Sequence, residues 1–554
     1  MWPVKHLLLG ALGFAPVALT SPSSHTTFDS REATIDTVHN ALFAGTTTCR
    51  EVVSSFLARI EAYNPQINAV VSLNAHVLDY ADEMDARLRA GNATGPLFCI
   101  PILLKDNYDT SDMKTTGSCL ALKDAQPAAD APSVKAFRDA GAVILGKANL
   151  HELALEGISV SSLGGQTLNP YDLTRTPGGS SGGTGAAIAA SFAVFGTGTD
   201  TVNSLRSPAS ANSLFSVRPT RGLITRAGII PISYTHDAIG PIGRSLKDVA
   251  TALTVMAGIG YDPRDNTTAL VPGSLAGADY SSPLYGGSLK GVRLGLVEGF
   301  FNRTASAETT PVNDVMDDMV SKLEAAGATV VTIREPIYNS TAIMNTLDVQ
   351  RFEYRELMDA YLQDESLGGT HPSTLSELYS SGDFLVLPSG YSYVNTALVS
   401  STGNDTYADR QYGIQNLKLA VQTTFKTNSL DAIIYPEQQN LVVKTGSPSQ
   451  SGRNGILGAL TGSPVVTIPA GFSPTTKDAP AGVPVGMEIL GLPWTEEKLL
   501  NIASRIGDLG HVRKMPKLVA REVPVKKYTA VPKVVPNTKD IPVEYPVGVL
   551  RVWD

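Results

Sequence analysis

Between Thr46 and Asn64 the chain reads TTTCREVVSSFLARIEAYN, and Val52, Val53, Phe56, Leu57, Ile60 and Tyr63 recur at helical spacing. Thr48 followed three residues later by Glu51 makes a capping box, so the pattern predicts an amphipathic helix packed on a larger body. The whole stretch from about 31 to 90 reads as helical. PLFCIPILLKDNYD then breaks the period with a continuous apolar run that stops abruptly at Lys105, Asp106 and Asn107. Such a run predicts a buried strand that delivers a charged group at its end. Further on, residues 133–150 pass from a helical piece into the strand-like AVILG, and LKGVRLGLVEGF (289–300) and DAIIYPE (431–437) repeat the strand signal. Helical periodicity returns at 311–327 and 342–362. Helices interleaved with short apolar strands predict a layered α/β architecture.

The two ends differ from this body. MWPVKHLLLGALGFAPVALTSPSS carries a lysine, an apolar stretch from Leu7 to Leu19 and then small polar residues, the pattern of a secretory signal and too short for a membrane span. A signal over residues 1–20 with cleavage near Ala18 to Ser21 is expected, and with it a secreted, extracellular protein. The last forty residues, from Met515, place a proline every four to ten positions among valines and lysines. Proline denies that piece a regular helix or central strand, so 516–554 is expected as an extended tail on a body spanning 21–515.

The 554 residues are 43% hydrophobic and 17% charged with a formal net charge of −8, a globular composition without the basic surface that nucleic acid requires. Three cysteines, Cys49, Cys99 and Cys119, allow at most one intramolecular disulfide and leave the pairing open. No spacing of histidines and cysteines suggests a metal. Asn92, Asn266, Asn302, Asn339 and Asn404 each begin an Asn-x-Ser/Thr triplet, a glycosylation acceptor pattern that fits the secretory route.

The chemistry concentrates in TPGGSSGGTGAAIAASFAVFGTGTDTVNSLR, residues 176–206. A serine hydroxyl is a poor nucleophile unless a base activates it. Gly178 to Gly182 formally satisfies the G-x-S-x-G elbow, but the loop-like NPYDLTRTP stands where that elbow needs a strand. A phosphate-binding loop fits no better, since Gly182-Gly183-Thr184 lacks the lysine of that motif.

GGSSGG, the small-residue helix after it, GTDTVNSLRSPAS and the upstream IPILLKDN together resemble the amidase signature family. SANSLFSVRPTRGLITRAGIIPIS, HDAIGPIGRS, LTGSPVVTIPAGF and VPVGMEILGLPWTEEKLLNIA look like later family segments in the family's order, from about residue 35 to 510. The resemblance implies a single α/β domain whose central mixed, twisted sheet is covered by helices on both faces. It also implies hydrolysis of carboxamide C–N bonds through an acyl-enzyme, with a small-molecule amide substrate and no cofactor or metal. Carried over by motif position, Lys105 is the base, Ser180 a bridging serine in a cis peptide and Ser204 the nucleophile, 24 positions after Ser180. Backbone N–H groups of Thr201, Val202, Asn203 and Ser204 would form the oxyanion hole, with Ser181, Asp200 and Arg206 in support. A lysine at the end of a buried strand is desolvated, which lowers its pKa and lets it accept a proton.

One pair departs from the pattern. Family members resembling this chain carry two small residues before the nucleophile, where this chain has Val202-Asn203. Asparagine tolerates a left-handed backbone, whereas valine must sit at negative φ or strain the turn. Either the turn keeps its shape and Val202 narrows the acyl pocket, or the hole is impaired and the chain is a weak or non-catalytic binding relative. The segments 340–400 and 437–455 are expected to line that pocket.

Overall fold

The computed structural model describes residues 28–282, 284 and 286–551; the expected signal over 1–20 lies outside them. The capping box forms as expected: the Thr48 hydroxyl accepts from the Glu51 N–H at 3.1 Å and the Glu51 carboxylate accepts from the Thr48 N–H at 3.0 Å. The helix Cys49–Ile67 starts there and ends at Asn68, which takes the left-handed conformation that asparagine tolerates (φ 57°). A short strand, Val70–Leu73, follows where the sequence suggested uninterrupted helix, before the helix Val77–Arg89. Two β-branched residues after a left-handed cap favour extended backbone over a helical continuation.

Eleven strands make the central sheet: β1 (Val70–Leu73), β2 (Pro101–Lys105), β3 (Val143–Ala148), β4 (Phe195–Asp200), β5 (Phe215–Arg218), β6 (Ala238–Gly243), β7 (Arg293–Val297), β8 (Thr329–Ile333), β9 (Ala432–Pro436), β10 (Val465–Phe472) and β11 (Pro484–Leu490). Their spatial order is β1-β3-β2-β4-β6-β5-β10-β11-β9-β7-β8. The sheet is mixed. β2 runs parallel to β3 and β4, β7 runs parallel to β8 and β9, and antiparallel pairs join these two parallel groups through the middle. β2, β3 and β4 are buried along their whole length, and in β2 and β3 the sequence accordingly opens on a continuous rather than an alternating apolar run.

The helical pattern over 342–362 resolves into two helices, Ser340–Leu347 and Gln350–Leu362. They part at Asp348, whose carboxylate accepts from the Gln350 N–H at 3.0 Å and starts the second helix in place of a continued first one. A disulfide joins Cys49 to Cys99 and so ties the first long helix to the segment entering β2; Cys119 is free and buried. The proline-rich tail is extended and lies along the body: the Asn537 N–H donates to Asn68 Oδ1 at 3.0 Å and the Tyr545 hydroxyl donates to the Ser447 carbonyl at 2.6 Å. Among the described residues no helix is long and apolar enough to cross a membrane.

Candidate active site

β2 ends on Lys105, which is fully buried. Its ammonium nitrogen lies 2.7 Å from Ser180 Oγ and 2.8 Å from Thr199 Oγ1. Thr199 belongs to the neighbouring strand β4 and also accepts from Asn107 Nδ2 at 3.2 Å. Ser180 follows a cis peptide bond from Gly179, next to Gly178 at φ 70°. The serine's carbonyl is held by the His151 N–H at 3.0 Å. Burial pulls the Lys105 ammonium down to about 7, against the upward pull of Asp200 and Asp237. Burial likewise takes the His151 imidazole down to about 4.

Ser204 sits on the turn that links β4 to the helix Arg206–Ala211, and it is 7% exposed. Among the described residues its hydroxyl has no hydrogen-bond partner, so the structure joins Lys105 to Ser180 but leaves the Ser204 hydroxyl unengaged. The carbonyls of Val202, Asn203 and Ser204 are all taken. Val202 O accepts from Arg206 Nη2, Asn203 O accepts from the Arg206 and Ser207 N–H groups at 2.9 and 2.7 Å, and Ser204 O accepts from the Ser181 N–H at 3.3 Å. The N–H groups of Val202, Asn203 and Ser204 find no acceptor among the described residues. Three consecutive amide donors are thus free while their carbonyls are engaged, a set of donors that could receive a developing negative charge. None of residues 201–204 has a positive φ, so Val202-Asn203 form this turn without left-handed backbone.

Asp200 and Arg206 lock the turn from behind. The carboxylate takes a bidentate contact from Arg206, with Nε and Nη2 both at 3.0 Å, a contact from Arg218 Nη1 at 2.7 Å and one from the Leu205 N–H at 3.1 Å. All three side chains are fully buried. Against the upward push of burial, the two guanidiniums hold the Asp200 carboxyl at about 2. Arg206 also reaches Glu488 Oε2 at 2.8 Å and the Gly455 carbonyl at 2.9 Å. Gly455 has to be glycine for this closeness: a Cβ there would stand 2.5 Å from both Asn203 Cβ and Val202 O. Ser181 Oγ lies 3.3 Å from the Thr199 N–H, tying the serine pair to β4, and the Thr201 hydroxyl donates to Asp237 at 2.7 Å.

Two pockets flank the turn. One, of about 270 Å³, has Thr199 and Thr201 in its lining with Ile229, Ile230, Ile232 and Leu357, and carries Tyr234 and Asn266 among its polar residues. The other, of about 170 Å³, is lined by Val202 and His151 with Met344, Leu387, Tyr393 and Arg453. The second pocket draws on both segments expected to line the acyl pocket; the first draws on one of them through Leu357, but its lining is mainly 226–239 and 263–266, which the sequence did not single out as pocket walls. His151, Thr199, Asp237 and Glu437 were also missed. Only Glu437 had a sequence cue, as a charge directly after a buried strand. Of the five glycosylation candidates, Asn92, Asn266, Asn339 and Asn404 are exposed and Asn302 is half-buried. Among the described residues no group of three or more His, Cys, Asp or Glu could hold a metal ion.

Comparison with known proteins agrees with this geometry. The family model for amidases matches residues 51–500. The chain is 32% identical to a glutamyl-tRNA(Gln) amidotransferase subunit of Symbiobacterium thermophilum, over 84% of this chain and 94% of that one. The peptide amidase of Stenotrophomonas maltophilia superposes with a TM-score of 0.75 at 30% identity, covering 88% of this chain and 99% of that structure. A bacterial aryl acylamidase shares the fold at a TM-score of 0.74 and 20% identity, with 88% and 98% covered. The chain belongs to the amidase signature family and is an amide-hydrolysing enzyme.

Proposed function

We propose that this enzyme is a secreted serine amidase in which Ser204 is the nucleophile, Ser180 relays protons and Lys105 is the base. The observation that carries this reading is the 2.7 Å contact between Lys105 Nζ and Ser180 Oγ in a fully buried setting. A neutral Lys105 accepts the Ser180 proton while Ser180 takes the proton of Ser204. Ser204 Oγ then bonds to the amide carbon, and the carbonyl oxygen gains its charge against the free N–H groups of the turn. Collapse breaks the C–N bond, the departing amine takes the proton back through Ser180, and water hydrolyses the acyl-serine by the same relay.

Secretion is supported by the apolar stretch from Leu7 to Leu19, by the Asn-x-Ser/Thr sites on the surface and by the Cys49–Cys99 disulfide, a bond favoured in oxidising compartments. The peptide amidase and amidotransferase relatives support amide nitrogen as the leaving atom. The test is hydrolysis of an amide panel together with fluorophosphonate labelling of wild type, Lys105→Ala and Ser204→Ala. Turnover and labelling lost in both variants is expected; full activity in either sinks the assignment. N-terminal sequencing of protein recovered from culture medium tests the signal, and a first residue near Ser21 is expected.

A further inference from the structure

β9 ends at Pro436, and the next residue, Glu437, is immobilised on both of its backbone groups. Its N–H donates to the Gly486 carbonyl and its carbonyl accepts from the Asn454 N–H, each at 3.1 Å. The side chain is completely buried. One carboxyl oxygen, Oε1, accepts from Asn203 Nδ2 at 3.0 Å, and Oε2 has no partner among the described residues. No other residue among those described hydrogen-bonds to the Asn203 side chain.

Asn203 occupies the middle of the turn whose N–H groups are free, at a position where a small residue would leave the backbone loose. Arg206 Nη2 grips the Val202 carbonyl, and the other backbone tethers of the turn run to Ser181 and Ser207, close beside it; the Asn203 side chain ties the turn to the end of β9, on the other side of the sheet's antiparallel centre. We propose that Glu437 is a positioning residue for catalysis: through Asn203 it fixes the Val202–Ser204 turn with its N–H groups aimed at the developing oxyanion. The inference rests on Ser204 being the nucleophile. It gives Asn203 a function that glycine could not supply, and Glu437 a reason to be buried beside Glu488. Burial and that neighbouring carboxyl both push the Glu437 carboxyl up, which suits an acid that accepts one hydrogen bond without a cation of its own.

The experiment is steady-state kinetics on an amide that the wild type hydrolyses, with Glu437→Ala, Glu437→Gln, Asn203→Ala and the double variant Asn203→Ala/Glu437→Ala. Removing an oxyanion donor outright costs about 10² to 10³ in rate, so loosening the turn should lower kcat by about tenfold with KM within about twofold. Glu437→Gln keeps an acceptor for Asn203 and should recover most of what Glu437→Ala loses. The double variant should be no slower than the worse single one. The inference is overturned if Glu437→Gln is as slow as Glu437→Ala, if the two losses multiply, or if Glu437→Ala keeps full kcat in an otherwise active enzyme. A wild type that neither hydrolyses amides nor labels at Ser204 would overturn the reading of the site itself.

Discussion

Two lysines lie completely buried on neighbouring parallel strands, Lys105 at the end of β2 and Lys147 on β3. Burial lowers the pKa of both. They differ in what surrounds the nitrogen. Lys147 donates to the Tyr108 carbonyl at 2.7 Å and to the Thr115 hydroxyl at 3.0 Å, with the Asp106 carboxylate at 3.7 Å. Among the described residues the Lys105 ammonium hydrogen-bonds only to hydroxyls, those of Ser180 and Thr199. A carbonyl or carboxylate can only accept, so Lys147 must present protons to them. A hydroxyl can turn round and donate, so Lys105 can lose its proton and remain hydrogen-bonded. Desolvation alone therefore does not suit a lysine to act as a base; reversible hydrogen-bond partners, as around Lys105, are needed as well.

The widest separation between the two lysines should be in activity. Lys105→Met, like Ser204→Ala, is expected to lower kcat/KM by about 10³ or more, read by amine or ammonia release. Lys147→Met leaves Asp106 buried without its cation, and losing one partner of a buried pair costs about 3–5 kcal/mol. Its damage should appear in denaturant unfolding, with the pH profile of the surviving activity unchanged. Giving Lys105 a partner like that of Lys147 is the sharper test: in Thr199→Asp the acidic limb of the pH–rate profile should move up by about 1–3 pH units, the shift an adjacent opposite charge produces. In the wild type that limb should lie near pH 7, because Lys105 titrates at about 7 and only its neutral form accepts a proton. kcat/KM should fall about tenfold per pH unit below the limb and level above it; a flat profile from pH 5 to 9 would remove Lys105 from the base role. The smallest effect belongs to Val202→Gly. No positive φ demands glycine there, so the turn should survive while the adjoining pocket widens, shifting the preference between a bulky and a small substrate by about tenfold.

What could be read in advance followed from local pattern. The apolar run before Lys105 fixes β2 as buried, and the capping box at Thr48 fixes a helix start, because both depend on a few consecutive residues. The α/β class followed in the same way, whereas the mixed central sheet was implied by the family resemblance. β1 was hidden because four residues at a sheet's edge, between two helices, are too short to display a period. The break at Asp348 was hidden because one carboxylate on the Gln350 N–H overrides a helical pattern that otherwise continues. Thr199 carried no cue, and Glu437 only that of a charge after a buried strand: their importance lies in contacts to Lys105 and Asn203, 94 and 234 residues away in the chain. The turn at Val202-Asn203 was visible as a departure, yet its shape depended on Gly455 and Arg206, which only the folded chain brings to it.

The tail has a practical side for anyone who shortens or tags this chain. By composition, 516 onward looks dispensable. Yet the guanidinium of Arg59, inside the first long helix, donates to the Val519 carbonyl at 2.7 Å and to the Ala190 carbonyl at 3.0 Å, and it is 2% exposed. Trimming the chain at 515 would strip a buried cation of one of its acceptors in the body of the enzyme. Tags and fusions are better placed after the final residues than in exchange for them.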